Sequence, residues 1–176
     1  MCCTKGTAFL YCKSIENQLL LNQCSPVISH GSNEINSFIS NFIWTGLQDY
    51  SNHLVIQYSI KFWKLIGIKS VQLYIHKLAL WAANYLKDSW KTELITSDNN
   101  MLGSMICIGL PVNNSCELYN NEHNIIQDRL YYEFHIECPI KLLNQKLYVR
   151  ISAHIYNTKQ DYLNLDKAIK IIRNYQ

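Results

Sequence analysis

The sequence predicts an α+β unit, with helices packed on one side of a small antiparallel sheet. Three observations lead there. Apolar residues recur at helical spacing over residues 52–66, 70–90, 122–132 and from 158 onward. Between the third and fourth of these segments, Phe134–Cys138 and Leu147–Ala153 alternate at period two. Apolar residues also make up 48% of the 176, enough to build the core of one domain.

The first fifty residues read as short strands and loops, with apolar runs at 6–12 and 25–29 and a third segment ending in a turn at 42–49. In the helix that follows, Val55, Tyr58, Phe62 and Leu65 or Ile66 mark the apolar face, and Gly67 is its natural stop. The helix over 70–90 carries a broader face of Val71, Tyr74, Ile75, Leu78, Trp81, Ala82, Tyr85 and Leu86. A strand over 104–110 ends at Pro111, which cannot donate to a ladder. The polar Asn144-Gln145-Lys146 is the tip between the two alternating strands. Thr158 caps the last helix with Asp161 as its capping-box partner, and Tyr162, Leu165, Ala168, Ile169 and Ile172 form its face.

Composition sets aside several classes of function. Charged residues are only 16%, against about 25% in an average domain, so part of the surface is expected to meet another segment or subunit. A net charge of +3, scattered along the chain, makes no nucleic-acid footprint. No apolar run approaches the ~18 residues of a membrane span. The opening MCCTKGTAFLYC lacks the basic start and long apolar stretch of a signal peptide, so the chain reads as cytoplasmic unless a targeting peptide precedes Met1. Asn113-Asn114-Ser115 matches a glycosylation acceptor, which has no meaning without secretion. The seven cysteines form no C-x-x-C pair and sit at no metal-ligand spacing, so they read as reduced thiols, with Cys107 and Cys138 as small core residues.

Several strings resemble one family, in order along the chain. Thr4-Lys5-Gly6-Thr7-Ala8-Phe9-Leu10-Tyr11 is similar to the segment after the Schiff-base lysine in enzymes of the class V aminotransferase fold. Ile28-Ser29-His30-Gly31, Phe42-Ile43-Trp44-Thr45-Gly46 and Asp49-Tyr50-Ser51 resemble its isopenicillin N epimerase-like branch. Met105–Pro111, Tyr148–Ala153, Tyr156-Asn157 and Asp161 resemble the end of that fold. The resemblance implies the C-terminal portion of a type I pyridoxal-phosphate fold: a remnant of the large domain at 1–51, a connecting helix at 52–66 and the small domain at 67–176. For the parent enzyme it implies pyridoxal phosphate, an amino-acid substrate and a homodimer.

In that branch a His-Lys-Trp string precedes the K-G-T-A-F-L segment, and its lysine carries the cofactor. Met1 falls just after that place, so this chain alone is expected to lack the anchoring lysine and to be inactive. Lys5 aligns with the lysine of the following turn and is no substitute. Arg150 aligns with the arginine that holds the substrate α-carboxylate, a task that suits a planar guanidinium because it gives two parallel hydrogen bonds. Read from periodicity alone, it is a strand-edge arginine paired with a surface acid. Thr45 and Gly46 align with the loop that reaches the cofactor phosphate, often that of the neighbouring subunit. Leu47 replaces the usual second threonine there, at a cost of about 1.5–3 kcal/mol for a hydrogen bond to a charged group. His30 reads as a loop residue, His76 as a core-edge histidine, and Glu133 and Glu137 as surface residues in or beside a strand. The alternative expectation is a short, non-catalytic binding or dimerisation module of the same fold.

Overall fold

The computed structural model describes residues 4–24, 46–111 and 122–173. The chain divides into two units, Met1–Leu65 and Ile66–Gln176. The described part of the first unit is helical: α1 (Ile15–Asn22), α2 (Ser51–Leu54) and α3 (Ile56–Ile66, whose last residue falls in the second unit). The run at 6–12 is not a strand; after a turn in which Gly6 takes φ +89°, the backbone is irregular up to Ser14. Ser14 then starts α1, its hydroxyl accepting from the Asn17 N–H at 3.2 Å. The segments at 25–29 and 42–45 lie outside the described residues.

The expected helix over 52–66 is broken at Val55 into α2 and α3. Its buried side is Ser59 and Trp63, whereas Tyr58, Phe62 and Leu65 are exposed. The face read from the sequence was therefore offset by one residue, about 100° around the helix. Gly67 follows at φ +92°, a conformation that favours glycine and stops the helix as expected.

The second unit holds α4 (Ile68–Trp90), β1 (Met105–Gly109), α5 (Glu122–Phe134), β2 (Ile140–Leu143), β3 (Lys146–Ser152) and α6 (Lys159–Ile172). The sheet order is β1-β3-β2, antiparallel throughout, with Ile108 opposite Val149 and Ile140 also opposite Val149. In β3, Leu147, Val149 and Ile151 are buried while Arg150 and Ser152 are exposed. This period-two pattern puts one face on the core and leaves the other open. The core gathers Ile106, Ile108, Val149 and Ile151 of the sheet with Leu86 and Trp90 of α4, Leu130 of α5 and Ile169 of α6. On α6, Tyr162, Leu165, Ala168 and Ile169 are buried as expected, and the Thr158–Asp161 capping box is present.

One strand lies later than the sequence suggested. Phe134 ends α5, residues 135–139 are irregular, and β2 begins only at Ile140. His135 terminates the helix at φ +57°, its N–H reaching Tyr131 O at 3.2 Å while Ile136 N–H reaches Leu130 O at 2.9 Å. Pro139 has no N–H for a ladder, so pairing begins after it. Glu133 is accordingly helical, ion-paired to Arg129 at 2.7 Å, and His76 is exposed on α4 rather than at the core edge. The connection between β2 and β3 is a tight turn with Asn144 at φ +48° and Gln145 at φ +60°, and Lys146 belongs to β3.

Two buried polar clusters tie the helices together. Asp166 on α6 accepts hydrogen bonds from Trp90 Nε1 at 2.7 Å, Ser89 Oγ at 2.8 Å, Tyr85 Oη at 3.0 Å and Lys170 Nζ at 3.1 Å. Arg173, just past α6, pairs with Glu122 at the start of α5 and donates from Nε to Pro111 O at 2.9 Å.

Candidate carboxylate-binding cleft

Strand β3 alternates because its odd positions serve the core, so Arg150 is turned to the open face of the sheet. Cys107 of β1 lies opposite it in register. On the other side its N–H donates to Pro139 O at 3.0 Å, and its carbonyl accepts from Cys138 Sγ at 3.3 Å. The main chain of Arg150 is thereby fixed on both sides. Among the described residues no carboxylate forms an ion pair with it.

Arg150 lines a cleft of about 370 Å³ with residues from two other segments, Phe134–Pro139 and the start of α6. At about 30 Å³ per water, that holds roughly a dozen waters or one small organic molecule. Asn157, Asp161 and Asn164 supply polar groups from the α6 side. Asp161 is committed to its helix, its carboxylate accepting from Thr158 N at 2.9 Å and from Asn157 Nδ2 at 3.3 Å. Tyr162 donates to Ser152 O at 3.0 Å, and burial pushes its phenol up to about 12. Among the described residues no lysine lines the cleft.

Both neighbouring thiols stay neutral. Burial pushes Cys138 up to about 12 even though the Arg150 charge pulls the other way. Cys107 is raised by burial in the same manner, again against the attraction of Arg150. The positive charge of Arg150 therefore meets no thiolate, and the acidic groups that share its cleft are Glu137 and Asp161. Cys12, Cys24, Cys107 and Cys138 are free thiols, and Cys24 is exposed. Native-state alkylation followed by peptide mass mapping should label Cys24 quickly and leave Cys138 unmodified until the chain is unfolded. Equal labelling of the two would contradict the burial of Cys138.

Thr45 lies outside the described residues. Gly46 takes φ +117° with nothing within 4 Å of where a Cβ would sit, and its carbonyl accepts from Tyr50 Oη at 3.3 Å. Lys5 is exposed in the turn before Gly6, and His30 is outside the described residues. Of the residues that line the cleft with Arg150, sequence reading had singled out none as ligand contacts. The signal was weak because residues 134–139 and 157–165 reach Arg150 only through strand register and helix docking. Among the described residues no helix is long and apolar enough to cross a membrane, and no group of three metal-ligating side chains gathers.

No protein-family model matches the chain. Two Arabidopsis thaliana proteins are similar to it along nearly its whole length. "Probable L-cysteine desulfhydrase, chloroplastic" is 31% identical over 93% of this chain and 36% of its own length. "L-cysteine desulfhydrase" is 29% identical over 95% of this chain and 39% of its own. The chain thus spans a little over a third of the length of the relatives it matches. Among solved structures, mouse CSAD shares the fold with a TM-score of 0.51 over 88% of this chain and 34% of its own, at 12% identity.

Proposed function

We propose that these 176 residues are the C-terminal portion of a pyridoxal-phosphate-dependent enzyme that acts on a small amino acid, with Arg150 holding the substrate α-carboxylate. The observation that carries this reading is Arg150 itself, its main chain held on both sides, its guanidinium without an ion pair among the described residues, and its side chain set in a cleft of small-molecule size. L-Cysteine is the substrate favoured by the names of the relatives. Within this reading, residues 1–51 belong to the large domain, 52–66 connect, and 67–176 form the small domain. The motif match further favours the isopenicillin N epimerase-like branch of the class V fold and a homodimeric parent.

The described residues do not make a complete site for pyridoxal phosphate. The cleft at Arg150 has no lysine to form an imine, and the Gly46 loop is half-buried at most. Thr45, Gly46 and nearby backbone amides would contribute only contacts to the cofactor phosphate. The cleft suits a carboxylate, and the remaining chemistry belongs to groups beyond it.

Titration of the isotopically labelled chain with acetate and L-alanine, followed by NMR, tests the assignment. Shifts should centre on Cys107, Cys138 and Arg150. Arg150→Ala should weaken binding about tenfold to a hundredfold, the loss of one to two hydrogen bonds to a charged group. Arg150→Lys should fall between, because an ammonium keeps the charge but not the paired geometry. Unchanged affinity in Arg150→Ala would overturn the proposal.

A further inference from the structure

His135 lines the same cleft as Arg150 and occupies a backbone position where its own identity is a disadvantage. At φ +57° it sits in the left-handed region, just past the last residue of α5. The two hydrogen bonds that close the helix there use only main-chain atoms, His135 N–H to Tyr131 O and Ile136 N–H to Leu130 O. Glycine makes the same closure without a Cβ penalty and is the common residue at such sites. The imidazole therefore adds nothing to the helix end. It is exposed, and among the described residues no hydrogen bond, ion pair or ring contact engages it. Lys91 plays the same left-handed role after α4, at φ +52°, away from this cleft.

We infer that His135 is a specificity-determining residue, whose imidazole hydrogen-bonds the side-chain heteroatom of an amino acid held at Arg150 by its carboxylate. This inference rests on the carboxylate reading of Arg150 and adds a second point of recognition to it. An imidazole offers both a donor and an acceptor, and so accommodates a hydroxyl or a thiol. Two points of contact, a guanidinium on β3 and an imidazole carried on the closed end of α5, select a short amino acid with one polar β-substituent over one without it. A site built to hydrogen-bond a substituent discriminates against the analogue that lacks it, because its own polar group is then left unpaired.

The test compares L-serine, L-cysteine under reducing conditions, and L-alanine, each titrated into the 176-residue chain and read by NMR. The chain should bind serine and cysteine about five- to tenfold more tightly than alanine, the worth of one hydrogen bond. His135→Gly should abolish that preference and leave alanine affinity unchanged. Its melting temperature should hold or rise, since glycine suits the left-handed site, which keeps misfolding from imitating the result. His135→Asn, which tolerates the same backbone and carries a polar tip, should retain part of the preference. Lys91→Gly should leave all three affinities alone. If His135→Gly keeps the full preference for serine while Arg150→Ala loses binding, the His135 inference fails and the carboxylate reading stands. If none of the three amino acids binds, the carboxylate reading fails and takes this inference with it.

Discussion

Asp166→Ala should destabilise the second unit by about 3–5 kcal/mol, the usual consequence of breaking a buried charged network from one side. Asp166 is 3% exposed, and its carboxylate receives four hydrogen bonds, three of them from α4 and one from Lys170 on its own helix. Alanine would leave the indole N–H of the buried Trp90 without an acceptor where water cannot readily replace it, and would remove the acceptor of the partly buried Tyr85 hydroxyl. Asp166→Asn keeps the shape but turns an amide N–H₂ toward donors, and should cost less, about 1–3 kcal/mol. Chemical denaturation followed by circular dichroism measures both, and a loss below 1 kcal/mol for Asp166→Ala would contradict the network's role.

The same residue predicts a pH dependence. Burial alone would raise the Asp166 carboxyl, but hydrogen bonds from Ser89, Lys170 and Tyr85, with the Lys170 charge, hold it below the ordinary carboxylate range. A depressed folded pKa means the unfolded chain takes up the proton first as pH falls. The stabilisation is thus fully present above the ordinary aspartate range and is lost as pH drops through the lower folded value. Melting midpoints should fall more steeply with acid in the native chain than in Asp166→Asn. Burial also raises the Tyr85 hydroxyl, here reinforced by its hydrogen bond to Asp166 and the Asp166 charge, so the phenol stays a donor through neutral pH.

Arg173→Met should also destabilise the second unit by about 3–5 kcal/mol. Its guanidinium side chain is 6% exposed and the carboxylate of Glu122 13%. Methionine fills a similar volume but strands the Glu122 charge in the interior. Among the described residues Glu122 Oε2 already lacks a partner, so Arg173 supplies its only charge compensation there. The Nε bond to Pro111 O is lost as well, and with it the tie between the end of β1 and the end of α6. Adding Glu122→Gln should restore much of the loss, because a neutral amide is far cheaper to bury than an unpaired carboxylate. Thermal melts of the single and double variants decide this. A double variant no more stable than Arg173→Met would show that the charge of Glu122 is not the main cost.

The elements with strong periodicity were legible in the sequence. The 70–90 helix, the strand before Pro111, the alternating Leu147–Ala153 run and the Thr158–Asp161 cap all lie close to where pattern placed them. Three readings failed for physical reasons. In α1 the leucines at 19, 20 and 21 are consecutive and make no face, and none of the helix is buried, so only its Ser14 cap betrayed it. The alternation of Phe134–Cys138 imitated a strand, but a left-handed His135 and an N–H-less Pro139 deny it a ladder. In α3 the aromatic stripe misled because the buried side belongs to Ser59 and Trp63. Arg150 was visible because its flanking string is specific. His135 was not, because nothing local marks a left-handed histidine or brings it to β3. The Asp166 cluster did leave a trace: Asp166 lies four residues after Tyr162 and three before Ile169, inside an apolar stripe where a carboxylate needs partners.

Because β3 lies between β1 and β2 in the sheet yet follows both in the chain, synthesis delivers the centre of the sheet last. About 36 residues separate the end of β1 from the start of β3, so at about 5–20 residues per second the inner edge of β1 waits roughly 2–7 s for its partner. During that wait only its outer edge is occupied, by the backbone of residues 93–95. The acceptor for Trp90 arrives later still, on α6. A nascent chain therefore carries an open, apolar strand edge until β3 emerges, which makes that interval the moment when a chaperone or a neighbouring chain would find it.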